Sequence, residues 1–201
     1  IFLGHRYLSM EFLVGKDLQA YMGKPMNLAF GLDILLQVCQ GLQVAHDAGV
    51  IHRDMKPPNV FITDKEIAKV MDFGIAKNQD TSGLTQAGLI FGTPQYMSPE
   101  QINDPRKVGP GTDIYAMGVM AYQMFTGTLP FHHPELVALL MMQANQPAEP
   151  PRRRNDEIPE GLEQIIMKLL HKRPEDRYQS CKEISSEIEG LQRKLDIPRR
   201  R

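Results

Sequence analysis

The sequence predicts an α+β fold, a mostly helical body carrying a little sheet and one long loop. Three observations predict it. Apolar residues recur at helical spacing in several separate stretches, two short apolar runs flank a polar turn at 63–66, and residues 75–111 combine glycines and prolines with little periodicity.

In chain order, HRYLSMEFLV at 5–14 is aromatic and apolar and ends at Gly15, so it reads as a strand entering a connector. Leu28, Leu32, Leu35, Leu42 and Ala45 put one buried face on a helix over 28–46 that stops near Gly49. The runs 60–62 and 67–70 form a small hairpin about their polar turn. The stretch 75–111 is too long for an idle connector in a compact domain, and loops of that length are usually functional or disordered. From Thr112 or Asp113, IYAMGVMAYQMF is apolar almost all round and predicts a helix buried on every side, its methionines filling core. Helical spacing returns over 134–143, at Leu162, Ile165, Ile166 and Leu169, and at Ile184, Ile188, Leu191 and Leu195. Residues 146–159, with several prolines and arginines at 152–154, read as a surface linker whose charges are solvated.

The 201 residues are 42 % hydrophobic, enough for one substantial core. Basic and acidic residues number 23 and 24, a balance that argues against a nucleic-acid partner, because a surface that neutralises phosphates is usually strongly basic. Cys39 and Cys181 stand far apart with no ligand pattern around them, so neither a disulfide framework nor a zinc site is expected, and a reducing compartment fits. No run of consecutive apolar residues approaches a membrane span.

The stretch that carries chemistry is IHRDMKPPNVFITDKEIAKVMDFG at 51–74. Phosphoryl transfer needs an oriented hydroxyl, divalent cations at the phosphates, and positive charge where negative charge spreads. Asp54 can accept or orient a hydroxyl proton, Lys56 can reach the transferred group, and Asn59 and Asp72 offer hard oxygens that suit Mg²⁺. Hinging the hairpin between Asn59 and Asp72 would bring these groups together.

HRDMKPPN followed by DFG, then GTPQYMSPE, TDIYAMGVM and RPEDR, resembles the large lobe of eukaryotic-type protein kinases, and GTPQYMSPEQ is similar to bacterial serine/threonine kinases. The likeness covers nearly the whole chain. It implies a kinase-like fold with a remnant of small-lobe sheet and hinge in 1–14, the large lobe in 15–195 and a basic tail in 196–201. It also implies that most of the small lobe, with its glycine-rich loop, strand lysine and helix glutamate, is missing from these residues.

By resemblance, Asp54 is the catalytic base, Lys56 the phosphate-contacting lysine, and Asn59 and Asp72 the ligands for Mg²⁺, with Mn²⁺ as an alternative. Met10 guards the back of the ATP pocket; Glu11, Phe12 and Leu13 form the adenine hinge, Asp17 meets ribose, and Leu18 and Phe61 floor the base. The family more often has Leu at the position of Phe61. His52 and Phe73 stack in the core column, with Gly74 a structural position beside them. Glu100 pairs with Arg177, and Asp113 holds the backbone of the catalytic loop. Arg53 receives a phosphate from the activation segment, with Thr85 as the switch residue, phosphorylated in trans by a second copy, and Thr81 and Ser82 as secondary candidates. Thr93 contacts Asp54 and Lys56, as in the serine/threonine branch, and Pro58 stands where some kinases carry an acid that reads substrate arginine.

The function so implied is transfer of the ATP γ-phosphoryl group to serine or threonine of protein substrates, in the cytoplasm or on the cytoplasmic side of a membrane-anchored parent. A catalytically silent binding module is the alternative, and a small-molecule phosphotransferase a remoter one. The complete set Asp54, Lys56, Asn59 and Asp72 favours the first, since a binding module has no chemical need for it.

Overall fold

A computed structural model of the protein describes residues 11–73 and 93–198. Strand β1 (Gly15–Asp17) pairs antiparallel with β2 (Val60–Thr63), which pairs antiparallel with β3 (Ala68–Val70), giving the order β1-β2-β3. The strand expected at 5–14 is thus corrected within the described residues: 11–14 are not in a strand, and pairing begins at Gly15 opposite Thr63. Gly15 permits that start. Its φ is 150°, and a Cβ there would lie 2.1 Å from the Ile62 carbonyl oxygen, so only glycine lets the two backbones meet. The β2–β3 hairpin forms as its pattern predicts, closed by the Thr63 N–H to Ile67 oxygen bond at 2.9 Å.

Helix α1 (Leu28–Asp47) is capped by Asn27, whose side chain accepts the Phe30 N–H at 3.2 Å, and Gly49 follows it at φ 72°. By length and hydropathy alone α1 could cross a bilayer. Its apolar face is instead packed inside the fold, against β3, α3 (Pro110–Thr126) and α6 (Cys181–Lys194).

Helix α3 is the centre of the molecule: Ile114, Tyr115, Met117, Val119 and Tyr122 are fully buried, as a helix apolar on every side requires. It starts at Pro110, whose missing N–H costs nothing in a first turn, and stops at Gly127 in the left-handed region. Gly118 lets α5 (Glu160–Leu169) pack close, since a Cβ there would sit 2.7 Å from the Leu169 Cβ. Met117, Met120 and Met124 fill core as expected.

Two expectations about loops are corrected. The second half of 75–111 holds α2 (Pro99–Asn103), opened by a capping box in which Ser98 and Gln101 satisfy each other's backbone N–H groups. Single turns at Pro94–Tyr96 and Pro105–Lys107 flank it. Residues 146–159, beyond α4 (Leu136–Asn145), form a packed strap and not a solvated linker: Ala148, Pro151 and Ile158 are buried. Asn155 donates to the Phe125 carbonyl, and Arg154 reaches Thr128 Oγ1 and the Leu129 carbonyl, tying the strap across the end of α3. Apolar spacing in α5 and α6 is borne out except at Leu195, which lies past α6 and is exposed.

Candidate active site

The site is assembled by the turn between α1 and β2, closed from below by the start of α3. Asp113, fully buried at that start, accepts the backbone N–H of His52 at 2.9 Å and of Arg53 at 2.8 Å. Arg53 adopts φ 66°, a conformation that costs a non-glycine residue energy unless its surroundings hold it. Asp113 on one side and Gln101, which donates to the Arg53 carbonyl at 2.9 Å, supply that hold. The chain then delivers Asp54.

Lys56 Nζ lies 3.0 Å from Asp54 Oδ2 and 3.1 Å from Thr93 Oγ1, so carboxylate, ammonium and hydroxyl meet at one point. Thr93 leads directly into the turn Pro94–Tyr96, fixed to the core by Tyr96, whose hydroxyl donates to Gln123 Oε1 at 2.6 Å. Burial pushes the Tyr96 hydroxyl up to about 12, so it stays a donor at neutral pH. Asn59 is buried, and its amide donates to the Asp54 carbonyl at 2.8 Å, which turns its own carbonyl oxygen the other way.

The hairpin brings the two ends together as its position suggests. The Met71 N–H donates to the Asn59 carbonyl at 2.8 Å, and the Met71 carbonyl lies 2.7 Å from His52 Nε2. Asp72 follows at once, exposed and at φ 54°, and the Phe73 ring tilts against the His52 ring at 5.0 Å between centroids. Two left-handed residues, Arg53 and Asp72, therefore flank the same backbone crossing. The oxygens on offer, one amide carbonyl and one carboxylate, suit a hard divalent cation.

Asp17, Leu18 and Phe61 gather at the same end of β2, near Asn59: Asp17 is the register partner of Phe61, and Leu18 is buried. The Asp17 carboxylate caps the turn Leu18–Tyr21, accepting the Ala20 N–H at 3.2 Å. Phe12 is 89 % exposed, Leu13 is half-buried, and Glu11 pairs with Lys69 of β3. Met10, Gly74, Thr85, Thr81 and Ser82 lie outside the described residues.

Glu100 and Arg177 form a bidentate pair at 2.8 and 2.9 Å, both buried, and Thr112 donates to Glu100 Oε1 at 3.0 Å. Burial would raise the Glu100 carboxyl, but the Arg177 guanidinium outweighs it and holds that group below its ordinary range. Sequence reasoning missed His46, whose Nε2 lies 2.8 Å from Asp113 Oδ2, along with Gln101 and Thr112. Gln101 was legible in the pattern Ser98-x-x-Gln101, whereas His46 left no local signal. An open cavity of about 880 Å³ lined by Gln123, Phe131 and Arg154 lies away from Asp54, so chemistry and not volume locates this site.

Residues 4–187 match the sequence pattern of the protein kinase domain. The chain belongs to the protein kinase family. This kinase domain is 45 % identical over 179 residues, 87 % of the chain and 26 % of the relative, to serine/threonine-protein kinase Pkn1 of Myxococcus xanthus. It is 36 % identical over 98 % of the chain and 39 % of the relative to serine/threonine-protein kinase pkn3 of the same organism. It is 35 % identical over 90 % of the chain and 30 % of the relative to serine/threonine-protein kinase PknB of Mycobacterium leprae. The chain thus spans between 26 % and 39 % of the length of these relatives. Protein kinases as a family use ATP and Mg²⁺.

Proposed function

We propose that the chain is the catalytic part of a serine/threonine protein kinase that moves the γ-phosphoryl group of ATP to a protein hydroxyl. The observation that carries this reading is the Lys56 ammonium held between Asp54 Oδ2 at 3.0 Å and Thr93 Oγ1 at 3.1 Å. Asp54 accepts the proton of the substrate hydroxyl and orients it. Lys56 balances negative charge where the phosphoryl group passes, and Thr93 holds Lys56 and Asp54 in register with the peptide-side turn Pro94–Tyr96. Asn59 Oδ1 and the Asp72 carboxylate would hold Mg²⁺, with Mn²⁺ as a substitute. When bound, Mg²⁺ would supply positive charge against the phosphates and ATP the group that is transferred.

Asp17, Leu18 and Phe61 fit the ribose and floor positions of the nucleotide, with Met10, Glu11, Phe12 and Leu13 as its hinge. Arg53, exposed and next to Asp54 in the chain, suits a phosphate on the activation segment because a guanidinium holds it bidentately. Thr85 is the residue proposed to carry that phosphate, placed by a second copy. A cytoplasmic setting fits the two free cysteines.

The test is incubation of the full-length protein with radiolabelled ATP, Mg²⁺ and a protein substrate, followed by phospho-amino-acid analysis. Label on serine and threonine is the expected result. Label on tyrosine alone, or none in a folded, ATP-bound protein, would overturn the reading, the latter in favour of a silent binding module.

A further inference from the structure

The two cysteines, 142 positions apart in the chain, meet in the fold. Cys39 of α1 and Cys181, the first residue of α6, are both free thiols, at 0 % and 1 % exposure, on the faces along which α1 and α6 pack, and each shifts the acidity of the other. Cys39 Sγ also lies 3.6 Å from Met117 Sδ. Cys181 Sγ lies 4.0 Å from His46 Nδ1, and the opposite nitrogen of that ring lies 2.8 Å from Asp113, which holds the backbone of the catalytic loop. A relay of contacts therefore runs from a dithiol through one imidazole and one carboxylate to the residue before Asp54.

We propose that Cys39 and Cys181 form a reversible disulfide under hydroperoxide, and that this releases His46 and loosens the catalytic loop. The effect on phosphoryl transfer rests on the kinase reading; the disulfide does not. Cys181 is the attacking thiol. Its interactions with Cys39 and His46, together with the N-terminal turn of α6, favour the thiolate and pull its pKa down to about 6 against the opposing cost of burial. Cys39 is pushed the other way, by its interaction with Cys181 and by burial, and remains protonated. Unequal acidity is what an attacking and a resolving thiol need. Cys181 is buried, with exposed Lys182 and Glu183 beside it, so an oxidant reaches it when the opening turn of α6 parts from the Ser180 cap and from Gln43, which accepts the Lys182 N–H.

The step balances. The Cys181 thiolate attacks one peroxide oxygen, the O–O bond breaks, and Cys181 becomes a sulfenic acid as hydroxide leaves and takes a proton to give water. Cys39 sulfur then attacks the sulfenyl sulfur, the S–S bond forms, and the departing hydroxide takes the Cys39 proton as a second water. Two thiols lose two electrons and one hydrogen peroxide gains them. The resulting sulfur cannot stabilise the imidazolium of His46, so its grip on Asp113 weakens.

The test treats the full-length protein with hydrogen peroxide and reads three things: a non-reducing peptide map, the His46 titration by ¹⁵N NMR, and phosphoryl transfer. The expected result is a Cys39–Cys181 crosslink reversed by dithiothreitol, a His46 pKa that drops from about 9, and transfer slowed roughly tenfold, as for loss of one hydrogen bond to a charged group. Cys39→Ala should leave reduced-state transfer unchanged and abolish the crosslink and the slowing; Cys39→Ser serves should the alanine variant misfold. No crosslink, or a crosslink that leaves the His46 titration where it was, overturns the proposal. Because the map and the titration need no activity, a protein that transfers nothing even when reduced would count against the kinase reading while both readouts still decide the disulfide.

Discussion

Thr112 and Asp113 stand side by side at the start of α3, and each anchors a different buried network. Asp113 binds the backbone N–H groups of His52 and Arg53 and the His46 ring, while Thr112 binds Glu100, whose carboxylate takes Arg177. The first network fixes a strained stretch of main chain that ends in Asp54. The second fixes a side chain that ties α2 to the segment after α5, with Arg177 also donating to the carbonyls of Gly111, His171 and Lys172. One carboxylate positions chemistry and its neighbour's partner positions the fold. Damage to the first should appear in rate, and damage to the second in stability.

The largest effect is expected in the second network. Arg177→Met leaves Glu100 buried without its counter-charge, at a cost of about 3 to 5 kcal/mol, which for a domain of this size lowers the melting temperature by about 10 °C. Calorimetry checks this, and adding Glu100→Leu should recover part of the loss because no lone charge then remains. In the first network, Asp113→Asn removes a charged acceptor of two N–H bonds; we expect transfer to fall by roughly tenfold to a hundredfold, with about 2 kcal/mol lost in a denaturant melt. A melt shift with no change in rate would break the comparison.

The networks should also respond at opposite ends of the pH scale. Burial lowers the His46 pKa, but Asp113 and Cys181 outweigh it and raise it to about 9. A folded value above the unfolded one gives stability that is full below about pH 6.5 and lost as pH rises through 9. The stability difference between the protein and His46→Gln should shrink over that window. Glu100 has the opposite sign: its depressed carboxyl stabilises above about pH 4.3, and that contribution is lost as pH falls through the lower folded value. Melts across pH with His46→Gln and Glu100→Gln would expose a common trend if the assignment were wrong. The smallest effect is at the edge of the second network, where Ser98→Ala removes the cap of α2 and should cost about 1 kcal/mol with transfer unchanged.

Much of this site was legible because it is local. Asp54, Lys56 and Asn59 share six residues, and a hairpin with an obvious pattern returns the chain to Met71, bonded to the Asn59 carbonyl, with Asp72 next along the chain. Helix α3 was legible because an all-apolar helix has only one place to go. What escaped was non-local. The contact of His46 with Asp113 spans 67 positions, and that of Cys181 with His46 spans 135; neither leaves a periodic trace, because a single polar contact across a packed core has no sequence period. The strap at 146–159 was misread for a related reason: prolines and arginines look solvated until Asn155 and Arg154 are seen bonded to the backbone at the end of α3.

The central claim is that Asp54 acts on a hydroxyl while Asp113 only holds it in place, and one comparison tests it most directly. Single-turnover phosphoryl transfer should be measured for the full-length protein and for Asp54→Asn, each first shown to melt at the same temperature. A drop of about 10² to 10⁴ in rate with the melt unchanged is expected, the range for losing a general base. Equal rates in two folded proteins would contradict it.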